Sequence, residues 1–268
     1  MSDVKFWFLI GALSASLVAC KDKPQVELAP VASALQAAPA AATAVQFSVD
    51  SATSKVTFLM DSPLEKIDGD APGSLQGDLF VDLSDISKST ALVKVDLLKL
   101  TLYQQKRDGD KSEYSERKKS DLQNTHARNW LQIVARDGDV TPEQAEANRW
   151  VEFKIDKIDH ASLTNVAGAT GDARTVTATA TGDFRLHGRK QTKSAKLELT
   201  VNYVGDKAQS IHVKTVEPLQ IGLEEFEVNP RDDAGKFVKS VTEALSSNLK
   251  GKVAQQAPVT LEFTANAK

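Results

Sequence analysis

Cysteine and net charge are both scarce in this sequence. Its 268 residues contain one cysteine, Cys20, which excludes an internal disulfide framework and any metal site built from several cysteines. Lysine and arginine number 33 against 36 aspartate and glutamate residues, a formal net charge of −3. Because binding to nucleic acid depends on a strongly basic surface, we expect no nucleic-acid partner.

The usual signatures of catalysis are also missing. The four histidines do not have the spacing of paired metal ligands, and the sequence has no nucleophile elbow, phosphate-binding loop or dinucleotide-binding glycine motif. We therefore predict a protein that is not an enzyme, with no catalytic residues, no metal site and no cofactor.

The first twenty residues have the form of a targeting segment. Phe6 to Val18 is apolar but shorter than the roughly 20 residues that a membrane-spanning helix needs, so it is typical of a secretory signal. The segment ends in Leu17-Val18-Ala19-Cys20, which resembles the bacterial lipobox. An ordinary signal peptide with an incidental cysteine is the alternative. We predict a lipoprotein signal peptide over 1–19 and lipid attachment, palmitate included, at Cys20.

The lipobox resemblance implies a place in the bacterial cell envelope. Acyl chains on Cys20 would hold the protein on a membrane, since each buried CH₂ contributes about 0.8 kcal/mol. We expect an anchor in the outer membrane and a folded domain in the periplasm. Residues 20–44 would be the lipidated cysteine and an Ala/Pro-rich tether, interrupted by Pro24, Pro30 and Pro39. We predict a mobile spacer there, with a partly helical stretch over 31–38 as the alternative.

The clearest structural pattern is a β-hairpin over residues 175–203. Apolar and polar residues alternate in two runs, on either side of the short basic turn His187-Gly188-Arg189-Lys190. A period of two with β-branched residues predicts strands with one buried face, and two strands cannot shelter that face alone. The rest of the folded domain, predicted over 45–268, must complete a sheet, a sandwich or a barrel.

Further alternating runs predict the remaining strands. They lie near residues 46–50, 55–60, 74–83, 91–102, 149–158, 209–216, 219–223 and 259–263. In the run over 91–102 the alternation slips by one residue, which predicts a bulge or a strand end covered on both faces. Residues 61–73 contain glycines and prolines and are predicted as a polar loop.

Helical spacing marks three further places. Residues 115–133 bring His126 and Trp130 to one face, Pro142 opens a short helix, and 236–249 repeat apolar residues every four positions. The whole pattern predicts a mainly β protein, an antiparallel sandwich or barrel of about eight or nine strands with one or two helical insertions.

Four motifs, taken in order, resemble the YceI-like family of bacterial periplasmic proteins. They are Phe47–Asp50 with Lys55–Phe58, Leu75–Leu79, Asp121–Leu131 containing Asn129 and Trp130, and Thr181–Gly188 with Lys190 and Lys193. The third motif lacks the family's usual Arg-Asp-x-His-Leu run, and the tail over 229–251 is more helical than the family suggests. The resemblance implies a lipocalin-like barrel that binds polyisoprenoid lipids. It also implies hydrogen-bonding, structural roles for His126 and His187.

A barrel of this kind would hold its ligand among inward-facing side chains, small residues among large ones. The candidates to line the cavity are Phe58, Phe80, Phe153, Val176, Ala178, Ala180, Phe184, Leu197 and Leu199. Burying apolar surface contributes roughly 25 cal/mol per Å², so the expected ligand is an isoprenoid or another fatty amphiphile, carried or sequestered by the protein.

Two interpretations stay open at this point. The same apolar side chains could form a filled core, which would indicate a structural or interaction lipoprotein of the envelope without a ligand. The basic run Arg117-Lys118-Lys119 is predicted as a solvated helix face. Contact with a lipid headgroup or a diphosphate at the barrel mouth is its alternative.

Overall fold

The structure is a computed structural model that describes residues 26–62, 64–109, 111–229 and 256–268. Those residues form twelve strands and two α-helices. The strands are β1 (Val45–Ser62), β2 (Glu65–Asp70), β3 (Leu75–Val81), β4 (Thr90–Asp96), β5 (Thr101–Lys106), β6 (Lys118–Lys119), β7 (Trp150–Asp159), β8 (Ala173–Leu186), β9 (Arg189–Val204), β10 (Lys207–Thr215), β11 (Leu219–Gly222) and β12 (Gln256–Ala267). The helices are α1 (Asp121–Trp130) and α2 (Pro142–Arg149).

Eight of the strands close into an antiparallel barrel. β1 pairs with β3, and the order continues through β4, β7, β8, β9, β10 and β12, which pairs again with β1. Phe47 of β1 shows the closure, because it lies opposite Leu79 of β3 on one side and Ala267 of β12 on the other. The predicted fold class, a mainly β antiparallel barrel with helical insertions, is confirmed. A closed barrel leaves no unpaired sheet edge.

The other four strands extend one end of the barrel, where β1 finishes and β12 begins; we call it the wide end and the opposite one the narrow end. There β2 pairs with the last residues of β1, β5 with β2, β6 with β5, and β11 with the first residues of β12. The prediction of a polar loop over 61–73 is wrong for residues 65–70. Despite its polar side chains, β2 pairs its backbone with strands on both sides.

The β8–β9 hairpin has the predicted buried face. The inward residues of β8 are buried, and so are those of β9. At the turn between them Gly188 has a φ of 69°, a left-handed conformation that glycine adopts without steric cost. The buried residues are Val176, Ala178, Ala180, Phe184 and Leu186 on β8 and Leu197, Leu199, Val201 and Tyr203 on β9.

The slip in alternation over 91–102 marks a break between two strands. β4 ends at Asp96, Leu97–Lys99 form a 3-10 turn, and β5 leaves the barrel to pair with β2. The Asp96 carboxylate caps the turn by accepting the backbone N–H of Leu98 at 3.0 Å. Arg149 holds the same carboxylate from two nitrogens, at 2.8 and 2.6 Å. The predicted bulge is therefore wrong, because the chain turns there into a different part of the sheet.

The first helix is shorter than the helical pattern suggested. Residues 115–119 of the predicted helix lie instead beside β5, and α1 begins only after Ser120, whose hydroxyl accepts the backbone N–H of Gln123. α2 begins at Pro142 as predicted, with Thr141 in a reciprocal capping box. The helix predicted over 236–249 lies outside the described residues. Within those residues, no helix has both the length and the apolar character needed to cross a membrane.

Part of the predicted tether is bound to the barrel. Residues 29–43, which we call the strap, run along its outer wall from the wide end. The backbone N–H of Ala29 donates to the Glu225 carbonyl and that of Ala32 to the Gly188 carbonyl, each at 2.8 Å. The prediction of a mobile spacer is wrong for the first part of the strap, where backbone groups of Ala29, Pro30, Ala32 and Leu35 are paired with the barrel. The signal peptide, Cys20 and the rest of the spacer up to residue 25 lie outside the described residues.

A buried group of charges lies beneath the strap. Glu152 and Arg185, opposite each other on β7 and β8, are 1% and 3% exposed. Arg185 donates to the Ala32 carbonyl at 3.1 Å, Leu35 donates its N–H to Glu152 at 2.8 Å, and Lys94 pairs with Glu152 at 2.6 Å. The alternation along β7 and β8 directs these side chains out of the barrel. Because an unpaired buried charge is costly, the strap and the charges stabilise each other.

Candidate functional site

The barrel interior is filled toward the narrow end and hollow toward the wide end. Near the narrow end only a space of about 60 Å³ remains among packed side chains such as Leu79 and Ile86. The wide end holds a larger, partly open space of about 410 Å³, which we call the main cavity. Sites for small organic ligands typically measure about 300–1,000 Å³. The sequence left open whether the barrel is hollow or filled. The structure has both: a hollow level toward the wide end and a filled level toward the narrow end.

Apolar side chains make almost the whole wall of the main cavity. They come from the barrel strands, from the added strands β2, β5 and β11, and from α1. The added strands lengthen the wall beyond the barrel, and α1 lies against β5. Representative lining residues are Phe58, Ile67, Val95, Leu102, Ile221 and Val259.

Five of the nine predicted cavity residues line one of the two spaces. Phe58, Phe153 and Phe184 line the main cavity, and Phe153 borders the small space as well. Leu197 and Leu199 line the small space only. The rings of Phe153 and Phe184 meet edge to face, with centroids 6.2 Å apart, so they form the floor between the hollow and the filled levels.

The remaining four predicted residues line neither of these spaces. Val176, Ala178 and Ala180 are buried, but they pack within the filled part of the core. Phe80 is only half-buried and lies on the face of β3 opposite to its neighbours Leu79 and Val81. The prediction for Phe80 is wrong, because successive side chains of a strand point to opposite faces and those neighbours face inward.

Four polar side chains interrupt the apolar wall at one place, and we call them the polar group. They are Glu65 at the start of β2 and Gln123, His126 and Trp130 on α1. Gln123 donates from Nε2 to Glu65 Oε1 at 3.4 Å. The rings of His126 and Trp130 stack with centroids 5.7 Å apart and an interplanar angle of 6°.

Sequence reasoning found this polar group only in part. The spacing of three and four residues on α1 places its members on one helical face, and the shared face of His126 and Trp130 was predicted. Their place in a cavity wall was not, because helical spacing does not say what a face packs against. Glu65 was missed because it stood in a stretch predicted as a loop.

Basic side chains near the wide end are paired outside the main cavity. Arg117 donates from Nε to Asp68 at 2.7 Å, and its guanidinium lies 3.5 Å from the centroid of the Tyr103 ring. The hydrogen bond that Arg117 donates to Asp68 raises the pKa of Arg117. The run is exposed as predicted, but it is not helical, since Lys118–Lys119 form β6. Among the described residues, no lysine or arginine lines the main cavity.

His187 has the hydrogen-bonding, structural place that the family resemblance implied. Its Nδ1 lies 3.0 Å from the Phe226 carbonyl oxygen, and its Nε2 lies 2.8 Å from Oε1 of Gln132. The residue thereby ties the β8–β9 turn to two other segments at the wide end. In the described part of the chain, no group of three or more histidine, cysteine, aspartate or glutamate side chains could hold a metal ion.

Comparison with known proteins gives similarity at the level of structure. No family model matches this chain, and no curated protein matches it. A solved structure of a polyisoprenoid binding domain from Saccharophagus degradans, implicated in plant cell wall breakdown, is similar at 19% sequence identity and a TM-score of 0.48. The alignment covers 84% of this chain and 99% of that one. Likeness of this degree does not assign a ligand.

Proposed function

We propose that this protein binds a long-chain amphiphile, with an isoprenoid lipid as the leading class, and carries or sequesters it in the cell envelope. The observation behind the proposal is the main cavity, about 410 Å³ with an almost wholly apolar wall. An apolar hollow of this size in a folded protein favours ligand binding, since an empty one loses the contacts that its lining would otherwise make.

Burial of apolar surface would supply most of the binding free energy. Each Å² of apolar ligand surface removed from water contributes roughly 25 cal/mol. The chain of the ligand would lie among the aliphatic side chains of the wide end and stop at the Phe153 and Phe184 rings, below which the core is filled. The YceI-like motifs of the sequence imply the same ligand class, and the barrel that they imply is the fold that the structure has.

The strap supports membrane anchoring as part of the proposal. It meets the barrel at Ala29, whose partner Glu225 lies between two residues of the main cavity wall, Leu223 and Val228. A chain from Cys20 to Ala29 can reach at most about 30 Å. Acyl chains on Cys20 would therefore hold the wide end of the barrel close to the membrane that supplies the ligand. We propose an outer-membrane anchor with the barrel in the periplasm.

Extraction and mass spectrometry of the purified full chain test ligand binding directly. We expect a lipid-like molecule at about one per protein, or uptake of a C20 isoprenoid alcohol by the delipidated chain. Val259→Trp should block uptake, because Val259 lines the main cavity. Thr260→Trp is the matched control, since the Thr260 hydroxyl meets that of Thr57 on the exposed face. A protein that is recovered empty and rejects every long-chain amphiphile would instead be an interaction lipoprotein.

A further inference from the structure

The main cavity and the small space below it share part of their walls. Four residues line both spaces, and we call them the partition: Val93, Phe153, Leu219 and Leu261. We propose that the partition, through the ring of Phe153, sets the length of the apolar chain that the protein buries. This rests on the proposed function and specifies how much of the ligand enters the barrel.

The partition is built from two opposite walls of the barrel. Val93 of β4 and Phe153 of β7 lie directly opposite each other where those strands pair. Leu219 and Leu261 come from β11 and β12, which also pair with each other. In the closed order of strands, β1 and β3 separate β12 from β4, while β8, β9 and β10 separate it from β7. The four side chains therefore approach one another from opposite sides of the interior and divide it at one level.

Phe153 is the aromatic member of the partition, and its neighbours hold its ring in place. The ring meets that of Phe184 edge to face, with centroids 6.2 Å apart, and Phe184 meets Phe226 in the same manner at 5.5 Å. Phe226 is fully buried and Phe153 is 6% exposed. Because protein interiors are densely packed and keep side chains in defined rotamers, the Phe153 ring stays between the two spaces. A ligand chain that enters from the wide end stops at this ring.

The volume above the partition predicts the length of the buried chain. A methylene group is about as large as a water molecule, which takes ~30 Å³ in the liquid. A cavity of about 410 Å³ therefore holds about 14 carbon atoms, or about three isoprene units. The small space of about 60 Å³ has room for about two carbon atoms more. Because the main cavity is partly open, a longer chain still binds, but its remaining carbons stay at the mouth and bury no further surface.

Removing the Phe153 ring should lengthen the chain that the barrel buries. Phe153→Ala connects the small space to the main cavity and gives a fourth isoprene unit room to enter. Each further CH₂ that is buried raises the affinity by about fourfold. Phe58→Ala is the matched control, since Phe58 lines the main cavity but not the small space. It frees the same side-chain volume without joining the two spaces.

A competition between two isoprenoid alcohols tests this role of Phe153. The delipidated full chain is incubated with equal amounts of farnesol, which has three isoprene units, and geranylgeraniol, which has four, both supplied in methyl-β-cyclodextrin. The bound alcohols are then extracted and quantified by mass spectrometry. Since every variant meets the same donor, the preference of the donor cancels when variant and parent are compared. We expect Phe153→Ala to raise the ratio of geranylgeraniol to farnesol at least about tenfold over the parent, and Phe58→Ala to raise it less than about threefold.

A substitution that fills the small space tests whether the longer chain enters it. Ala195 lines that space and not the main cavity. Ala195→Leu alone should leave the ratio unchanged, whereas adding it to Phe153→Ala should lower the ratio of that variant at least about threefold. If Phe153→Ala does not fold, Phe153→Leu should shift the ratio in the same direction by a smaller factor.

The outcomes separate this inference from the proposed function. An unchanged ratio in the folded Phe153 variant, or an equal rise in Phe58→Ala, overturns the role of the partition and leaves the proposed function standing. If the parent takes up neither alcohol, the proposed function itself is overturned.

Discussion

The backbone N–H of Leu35 donates a hydrogen bond of 2.8 Å to Oε2 of Glu152, 117 positions further along the chain. This contact joins the strap to the outer wall of the barrel at the buried charges. Glu152 also meets Lys94 at 2.6 Å and Arg185 at 3.4 Å. One carboxylate thus compensates two cations and one backbone donor, all within a wall that the strap shields from water.

Replacing Glu152 should destabilise the protein strongly. Glu152→Gln leaves Arg185 buried without its countercharge, and loss of one partner of a buried ion pair costs about 3–5 kcal/mol. We expect a decrease of that order in the free energy of unfolding, measured by urea denaturation. Hydrogen exchange at the Leu35 amide should become faster, because its acceptor is weakened.

An exposed carboxylate provides the control for that change. Glu262→Gln removes a pair with Lys55 in which both side chains are largely in solvent, and such pairs are worth about 0–1 kcal/mol. Equal losses of unfolding free energy in the two variants would show that the buried charges under the strap contribute no more to stability than an exposed ion pair.

Two buried alanines should respond differently to a larger side chain. Ala178 lies in the filled part of the core, whereas Ala257 lines the main cavity. Ala178→Leu should cost about 1–3 kcal/mol of unfolding free energy, the usual effect of overpacking a filled core. Ala257→Leu has free space to enter, so it should cost less than about 1 kcal/mol and reduce uptake of the isoprenoid alcohol. The reverse order of stabilities would contradict the division of the barrel into two levels.

Gly182 should tolerate no side chain, because β7 passes too close to it. A Cβ at this position would lie 1.8 Å from the carbonyl oxygen of Lys154, next to the register shift between Ile155 and Lys157. Gly182→Ala should lower the free energy of unfolding by at least about 3 kcal/mol, since backbone must move to relieve the overlap. Gly109→Ala is the matched substitution in open surroundings, where the nearest atom is 3.8 Å away, and thermal unfolding should show little change.

Asp82 should make stability depend on pH in the acid range. Hydrogen bonds from the Ser84 and Thr43 hydroxyls and from the backbone N–H groups of Asp85 and Ser84 lower the pKa of Asp82 from 3.8 to about 2. A carboxylate with a lowered pKa in the folded state stabilises above its ordinary value, and that contribution disappears as pH falls through the folded value. Because one pKa unit corresponds to about 1.4 kcal/mol, Asp82 should contribute about 2 kcal/mol at pH 5 and little at pH 2.

The comparison with Asp82→Asn measures this contribution. The difference in unfolding free energy between the two proteins should shrink between pH 4 and pH 2. Asp206→Asn, in the exposed β9–β10 turn, is expected to stay within about 0.5 kcal/mol of the parent. If the difference in unfolding free energy does not change with pH, the effect of Asp82→Asn comes from altered packing rather than from the lost charge.

Local patterns predicted the parts of the molecule whose causes are local. Strict alternation over 175–203 gave a hairpin whose buried residues are those observed, because one face of a strand needs cover wherever it lies. Pro142, a residue typical of the first helical position, placed the start of α2 for the same reason. Strand β2 was not predicted because it is stabilised by backbone pairing with β1 and β5. Its polar side chains do not indicate that pairing.

The sequence by itself determined a mainly β fold and which side chains are buried, namely the apolar ones at every second position over most of the chain. Only the tertiary structure decided where those side chains pack against one another and where they line a cavity. Phe80 shows the limit of a guess from residue type, and the strap shows that an alanine- and proline-rich segment can be fixed by backbone hydrogen bonds to distant strands. The physical reason is that alternation fixes which face of a strand is buried, whereas the volume enclosed depends on how all the strands close together.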